Sequence, residues 1–321
     1  MVNPSDVLVG ALAVTFVVVN GSNDGAALVA CGLSIRALAP GVAIALSALA
    51  VALVPAVVGT RVATTLADRM VSFGEQGGRA ALASAVAASL LVVGVLIRLR
   101  LPTSMTVAIV GGIAGAGVGA GLEVGWGTIA LVLGLAVAAP LLGFAIALAA
   151  MRLVQLRGAT SAPAARRLRR GHIVGYCAQA VAYGVNDAQK MYAVTAVLFA
   201  ASSDPVLARP LPSLAIAGGF AAGAVIGLPR QASTVATGVL ALRPLQTVVG
   251  EFATEAAVIG TGLLGAPVSS TQTMLGALVG TGVSQGSRRV RWRIAAQLLV
   301  AWAITMPAAF VVGLALGAVT A

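Results

Sequence analysis

Two short polar runs carry most of the chemistry this chain can offer. Gly21-Ser22-Asn23-Asp24-Gly25 and Gly184-Val185-Asn186-Asp187-Ala188 each set an amide beside a carboxylate after a Gly-x step. Carboxylate and amide oxygens can hold a cation or a proton. Two other runs put hydroxyls behind a proline: Pro102-Thr103-Ser104-Met105-Thr106 and Pro267-Val268-Ser269-Ser270-Thr271. Proline suits the first turn of a helix, and a nearby Ser or Thr caps its exposed N–H groups. A helix start has free N–H donors and a positive dipole end, so it receives oxyanions. One pair of runs therefore suits cations and the other anions.

The elements that position these runs are apolar. Of 321 residues, 59% are hydrophobic and 9% charged, against roughly 25% charged in a typical soluble domain. Mean hydropathy is +1.02. The expected fold class is an all-α polytopic membrane protein. The net charge of +11 is read as loop arginines that set topology, so no nucleic-acid partner is expected. Cys31 and Cys177 lie in apolar surroundings and make no disulfide framework. Asp6 stands before the first apolar run with no basic residue near it, which argues against a secretory signal.

A spanning helix needs roughly 20 apolar residues. Ten runs qualify: 7–33, 40–60, 80–97, 101–120, 126–150, 172–200, 211–229, 246–264, 267–284 and 294–318. The fourth and ninth are short, glycine-rich and begin at a proline, so each is either a full span or a re-entrant hairpin. With all ten as crossings and the basic loop 151–171 in the cytoplasm, fifteen arginines fall inside. Only Arg61, Arg69, Arg79 and Arg209 fall outside. That asymmetry places both termini outside a cytoplasmic membrane crossed many times. Membrane lipid is then the protein's solvent.

Five ionisable residues remain within spans: Asp24, Asp187, Glu251, Glu255 and Lys190, the chain's one lysine. An Asp near the bilayer centre costs about 2.5–3.5 kcal/mol on the insertion scale, so such residues are functional candidates. Lys190, three positions after Asp187, either meets the anion or clips Asp187 as an ion pair. Glu251 and Glu255 share a helix face. They are either a cation or proton relay, Glu255 lying deeper, or carboxylates satisfied by neighbouring helices or by Arg243. His172 reads as an interfacial histidine at the start of a span, and the glycines from Gly111 onward as helix-packing surfaces.

The motifs repeat. At an offset of 163, Gly21, Asn23, Asp24 and Ala30 fall on Gly184, Asn186, Asp187 and Ala193. At 165, Pro102, Ser104, Thr106 and four later glycines fall on Pro267, Ser269, Thr271 and theirs. Five spans per half is an odd number, so the halves enter from opposite sides, as in inverted-repeat transporters with broken helices or hairpins at the centre. The division is 1–150, a basic cytoplasmic linker 151–171, and 172–321. The glycines at 21 and 25 are expected to let the first helix break.

An anion beside two carboxylates is repelled by several kcal/mol at low dielectric. The repulsion disappears if a cation or proton enters with it, which is a physical basis for symport. A passive anion channel would leave the carboxylates unexplained. An intramembrane aspartyl protease, with Asp24 and Asp187 as its pair, would leave the Pro-x-Ser-x-Thr runs without a role, so no enzyme is expected.

At these residues the chain resembles the inorganic phosphate transporter (PiT) family, whose signatures are Gly-x-Asn-Asp and Pro-Val-Ser-x-Thr in each half. Asn186-Asp187-Ala188-Gln189-Lys190 looks like its bacterial variant. The resemblance implies phosphate uptake coupled to Na⁺ or H⁺, or as a metal–phosphate complex, with no other cofactor, in a homodimer. It implies substrate contacts from Asn23, Asp24, Ser104, Thr106, Asn186, Asp187, Gln189, Lys190, Ser269, Ser270 and Thr271. Coupling-ion candidates are Asp24, Asp187, Glu255 and Glu251, with Na⁺ at Asp24, Asn23, Asp187 and Asn186. Two departures stand out: the family often reads Asn-Asp-x-x-Asn where this chain has Ala27 and Lys190, and has His where Val107 and Gln272 stand. Some relatives carry sulfate. Phosphate, unlike sulfate, donates hydrogen bonds when partly protonated, so the acceptors at Asp24, Asp187, Asn23 and Asn186 favour phosphate.

Overall fold

The computed structural model describes residues 4–35, 37–74, 77–99, 103–156, 164–199, 210–236 and 243–321. Helices account for nearly all of them. In chain order they are α1 (Pro4–Asn20), a π-helical turn (Gly21–Gly25), α2 (Ala26–Gly32), α3 (Pro40–Val58), α4 (Arg61–Thr64) with its own π turn (Thr65–Arg69), α5 (Gly78–Arg98), α6 (Met105–Gly119) and α7 (Trp126–Leu156). Then follow α8 (Ala164–Tyr183), a π turn (Gly184–Ala188), α9 (Gln189–Leu198), α10 (Pro210–Ala236), α11 (Pro244–Leu263), α12 (Ser270–Val283) and α13 (Trp292–Thr320).

Among the described residues, six helices are long and apolar enough to cross a membrane: Asp6–Gly32, Pro40–Val58, Gly78–Arg98, Trp126–Leu156, Pro210–Ala232 and Trp292–Thr320. Their outer faces expose Leu53, Val57, Leu131, Leu141, Ile304 and Val311, which is the surface lipid requires. The chain is a polytopic membrane protein. The other four expected spans are helical but differ in kind. α6 and α12 have 15 and 14 residues, or roughly 21–22 Å at 1.5 Å per residue, short of the ~30 Å hydrocarbon core. α11 carries Glu251 and Glu255. α8 begins among Arg166, Arg167, Arg169 and Arg170, so these lie in helical turns rather than in a loop; residues 157–163 lie outside the described residues.

Small residues draw the short helices deep into the bundle. α6 packs against α5 and α13, and α12 against α11 and α7. A Cβ at Gly111, Gly115 or Gly119 would strike the carbonyls of Met306, Phe310 and Leu314. One at Gly276 or Gly280 would strike those of Pro140 and Phe144. Such close backbone approach is how helices associate where lipid removes any hydrophobic drive between them.

The two rods that carry the Asn-Asp runs, α1–α2 and α8–α9, do not break there. Each continues through a single π turn: the Ala26 N–H bonds to the Gly21 carbonyl, and the flanking residues Asn20 and Ala26 stay right-handed helical. The glycines serve close approach instead. A Cβ at Gly21 would meet the Phe220 carbonyl and one at Gly25 the Phe220 ring, both on α10; one at Gly184 would meet Val54 on α3. The expectation of a flexible break is therefore corrected. A π turn widens the helix locally, a feature common at functional sites.

Candidate functional site

Hydroxyl residues begin both short helices. Ser104 and Ser269 hold extended backbone and their side chains accept from the N–H groups of Val107 and Gln272, both at 3.4 Å. Each is thus the N-cap that the spacing predicts, although Pro267 precedes its cap by two residues instead of entering the first turn. Pro102 lies outside the described residues. The two starts meet, since the Thr106 hydroxyl donates to the Val268 carbonyl at 3.3 Å.

Each π turn then clasps the strand-like residue before the cap of its own half. Asn186 donates to the Val268 carbonyl (2.5 Å) and accepts from the Val268 N–H (3.1 Å). In the other half Thr103 donates to Asn23 Oδ1 at 2.9 Å. Asn23 also donates to Asp24 (2.9 Å), and its rim is closed by Arg230 and Gln231 of α10, which bond its side-chain and backbone oxygens at 3.4 and 3.0 Å.

The acids have different environments. Asp187 is fully buried and paired with Lys190, itself fully buried, at 2.5 Å. It also accepts from Ser270, the first residue of α12. The Lys190 ammonium further donates to the Thr106 hydroxyl and, at 3.2 Å, to the Val268 carbonyl. An ammonium has three N–H donors, so all three are engaged between the two helix starts. Asp24 lines a small, partly open cavity, and Ser270, Thr271 and Glu255 line it too. Ser270 therefore joins the acids: it faces the Asp24 cavity and bonds Asp187. The charges of Asp187, Lys190 and Arg230 all reach Asp24.

Not every expected residue converges. Gln189 is turned away: its amide oxygen accepts from the N–H groups of Val62 (2.9 Å) and Ala63 (3.2 Å), capping α4, and its amide donates to Val185. Its amide oxygen and one of its two amide N–H donors are thus committed to the neighbouring backbone rather than to the helix starts. Ser269 bonds Thr271 at 3.0 Å. Glu251 lies one turn from Glu255 but is held elsewhere. His172 Nδ1 sits 2.7 and 3.0 Å from its two oxygens, and Nε2 is 2.7 Å from the Gly32 carbonyl. A carbonyl only accepts, so Nε2 carries a proton and a second proton is shared between Nδ1 and Glu251. His172 does not stand alone at a helix start: it is fully buried and paired with Glu251 and the Gly32 carbonyl, eight residues inside α8.

Several site residues were missed. Tyr183 and Gln179 line the cavity with a buried hydroxyl and a buried amide oxygen that lack hydrogen-bond partners, and both oxygens of Glu255 lack them too. Asn20 is likewise buried with its amide unpartnered. A signal existed for two of these, because Asn20 and Tyr183 are counterparts at the offset of 163, each just before the π-turn glycine.

Comparison with known proteins agrees over almost the whole chain. Residues 20–313 match the family model described as the phosphate transporter family. Proteins described as probable low-affinity inorganic phosphate transporters are similar. That of Mycobacterium tuberculosis (strain ATCC 25618 / H37Rv) is 33% identical over 96% of this chain and 75% of its own length. That of Rhizobium meliloti is 30% identical over 94% and 93%, and that of Bacillus subtilis 26% over 96% and 94%. A solved structure titled "The sodium-dependent phosphate transporter" superposes with a TM-score of 0.84 over 99% of both chains at 19% identity, a likeness of fold.

Proposed function

The chain belongs to the phosphate transporter family, and from that premise we propose that it imports inorganic phosphate across the cytoplasmic membrane as a secondary active symporter driven by a cation, Na⁺ or H⁺. The observation that carries this reading is Ser270: one hydroxyl at the start of α12 faces the Asp24 cavity while bonding Asp187. Both acids and an anion-receiving helix start thereby share one place. Phosphate would take the N–H and hydroxyl donors of the helix starts, from Ser104, Thr106, Ser269, Ser270 and Thr271. The cation would take the carboxylates with Asn23 and Asn186, and neither would bind well alone.

An inverted repeat of 1–150 and 172–321, joined by 151–171, is supported by cross-packing. α6 lies against the last helix of the other half and α12 does the same; α10 crosses one π turn and α3 the other. Thr103 bonding Asn23 and Val268 bonding Asn186 repeat one contact in both halves. In this reading the fifteen-arginine face is cytoplasmic, both termini are outside, two copies pair in the membrane, and one bundle moves against the other to alternate access.

The test is radiolabelled phosphate against sulfate uptake by the purified protein in liposomes, under separate Na⁺ and H⁺ gradients. Uphill phosphate accumulation driven by one cation, lost in Asp24→Asn, is the expected result. Cation-independent uptake at full rate, or sulfate preferred over phosphate, overturns the proposal.

A further inference from the structure

The two acids differ in how they are balanced, and the difference falls on matched positions. At the offset of 163, Lys190 corresponds to Ala27; at 165, Ser270 corresponds to Met105. Two of the residues that donate to Asp187, Lys190 and Ser270, thus have counterparts in the first half, Ala27 and Met105, that cannot donate. Ala27 lines the cavity next to Asp24. Lys190, its counterpart, is fully buried and packs its ammonium against Asp187, Thr106 and the Val268 carbonyl. One half holds a cation covalently where the other holds open space.

From this we infer that Lys190 is a resident counter-cation occupying the second half's ion place, so that coupling is left to a single exchangeable cation at the Asp24 cavity. The inference rests on the symport reading above. A tethered ammonium cannot leave with the cargo, and its three donors are already engaged, so it neither travels nor holds phosphate. The Asp24 side is equipped for an exchangeable ion. Glu255 presents two buried carboxylate oxygens with no partner, and Gln179 and Tyr183 add unpartnered buried oxygens on the same cavity wall. These are acceptors for a cation or a proton. Arg230, whose charge also reaches Asp24, is half-buried at the rim and bonds the Ser22 carbonyl and Asn23. Its charge is screened by solvent in a way that of Lys190 is not.

The experiment measures phosphate accumulation at static head in liposomes held at zero membrane potential, across a tenfold inward gradient of Na⁺ and, separately, of H⁺. Each additional coupled cation multiplies the accumulation ratio by about tenfold at that gradient. Lys190→Ala copies Ala27, empties the second ion place and is expected to raise the ratio about tenfold. Ala27→Lys supplies the first half with its own ammonium and is expected to lower the ratio about tenfold, removing cation dependence. Transport by either variant with the wild-type ratio overturns the inference. Should Lys190→Ala fail to fold, Ala27→Lys decides; failure of that variant to fold also counts against it, because the cavity is claimed to accept a cation beside Asp24. If wild-type protein accumulates no phosphate under either gradient, it is the symport reading that fails.

Discussion

Asn186→Ala tests whether the π turn aims α12. Asn186 is fully buried and makes a two-way clasp with Val268, donating at 2.5 Å and accepting at 3.1 Å. Its two halves are unequal in consequence. The Val268 carbonyl keeps the Lys190 ammonium and the Thr106 hydroxyl, so its loss is small, about the 0.6 kcal/mol average of a hydrogen bond inside a helix bundle. The Val268 N–H is left buried without a partner, which costs about 1–3 kcal/mol. Together the loss is roughly 1.6–3.6 kcal/mol. Val268 immediately precedes the Ser269 cap, so the release also misaims Ser270 and Thr271. If that free energy is spent in holding phosphate, affinity falls roughly 15- to 400-fold. The Thr103→Val control removes one hydroxyl bond, at 2.9 Å, to Asn23 Oδ1, which keeps Arg230, so its effect on the helix start is smaller. Initial uptake against phosphate concentration, at matched reconstitution, reads the apparent KM, and melting of the detergent-solubilised protein reads the fold. An Asn186→Ala protein with KM within about twofold of wild type, or an equal penalty from Thr103→Val, refutes the reasoning.

Three other outcomes are expected. Glu255→Gln removes a buried carboxylate whose oxygens lack partners, so the melting temperature holds or rises while cation-driven uptake falls at least about tenfold; unchanged uptake would remove Glu255 from the coupling site. His172→Phe strands Glu251 without its partner and costs about 3–5 kcal/mol, read as loss of a monodisperse protein, whereas His172→Gln, which can still donate, retains most of it. Gly276→Val drives a side chain onto the Pro140 carbonyl, whereas nothing lies near Gly134 of the same α7 wall; the first is expected to lose about 1–3 kcal/mol by overpacking and Gly134→Val to melt as wild type.

What could be read from the chain itself follows the cost of polarity in lipid. Asp24, Asp187 and Lys190 stood out because a charge inside an apolar run needs a reason. The starts of α6 and α12 were legible because Ser104 and Ser269 cap by a local rule. The rest depends on contacts between distant segments. Gly21 reads as a hinge until α10 is known to bring the Phe220 carbonyl against it. His172 reads as interfacial because Glu251, its partner, lies 79 residues away. Gln189 sits inside the motif yet caps α4, a helix too short for hydropathy to register.

The offset between the halves carries more meaning than the motifs do. Matched residues such as Asn23 and Asn186 build the frame twice, each tying its π turn to the residue before a helix cap. Mismatched ones, Ala27 against Lys190 and Met105 against Ser270, make the frame asymmetric in charge. A symmetric site would place two uncompensated carboxylates beside an oxyanion and repel it by several kcal/mol at low dielectric. Neutralising one acid permanently while leaving the other to an exchangeable ion halves that repulsion without removing the dependence on a cation. Function in such a protein is decided at the positions where the repeat fails to repeat.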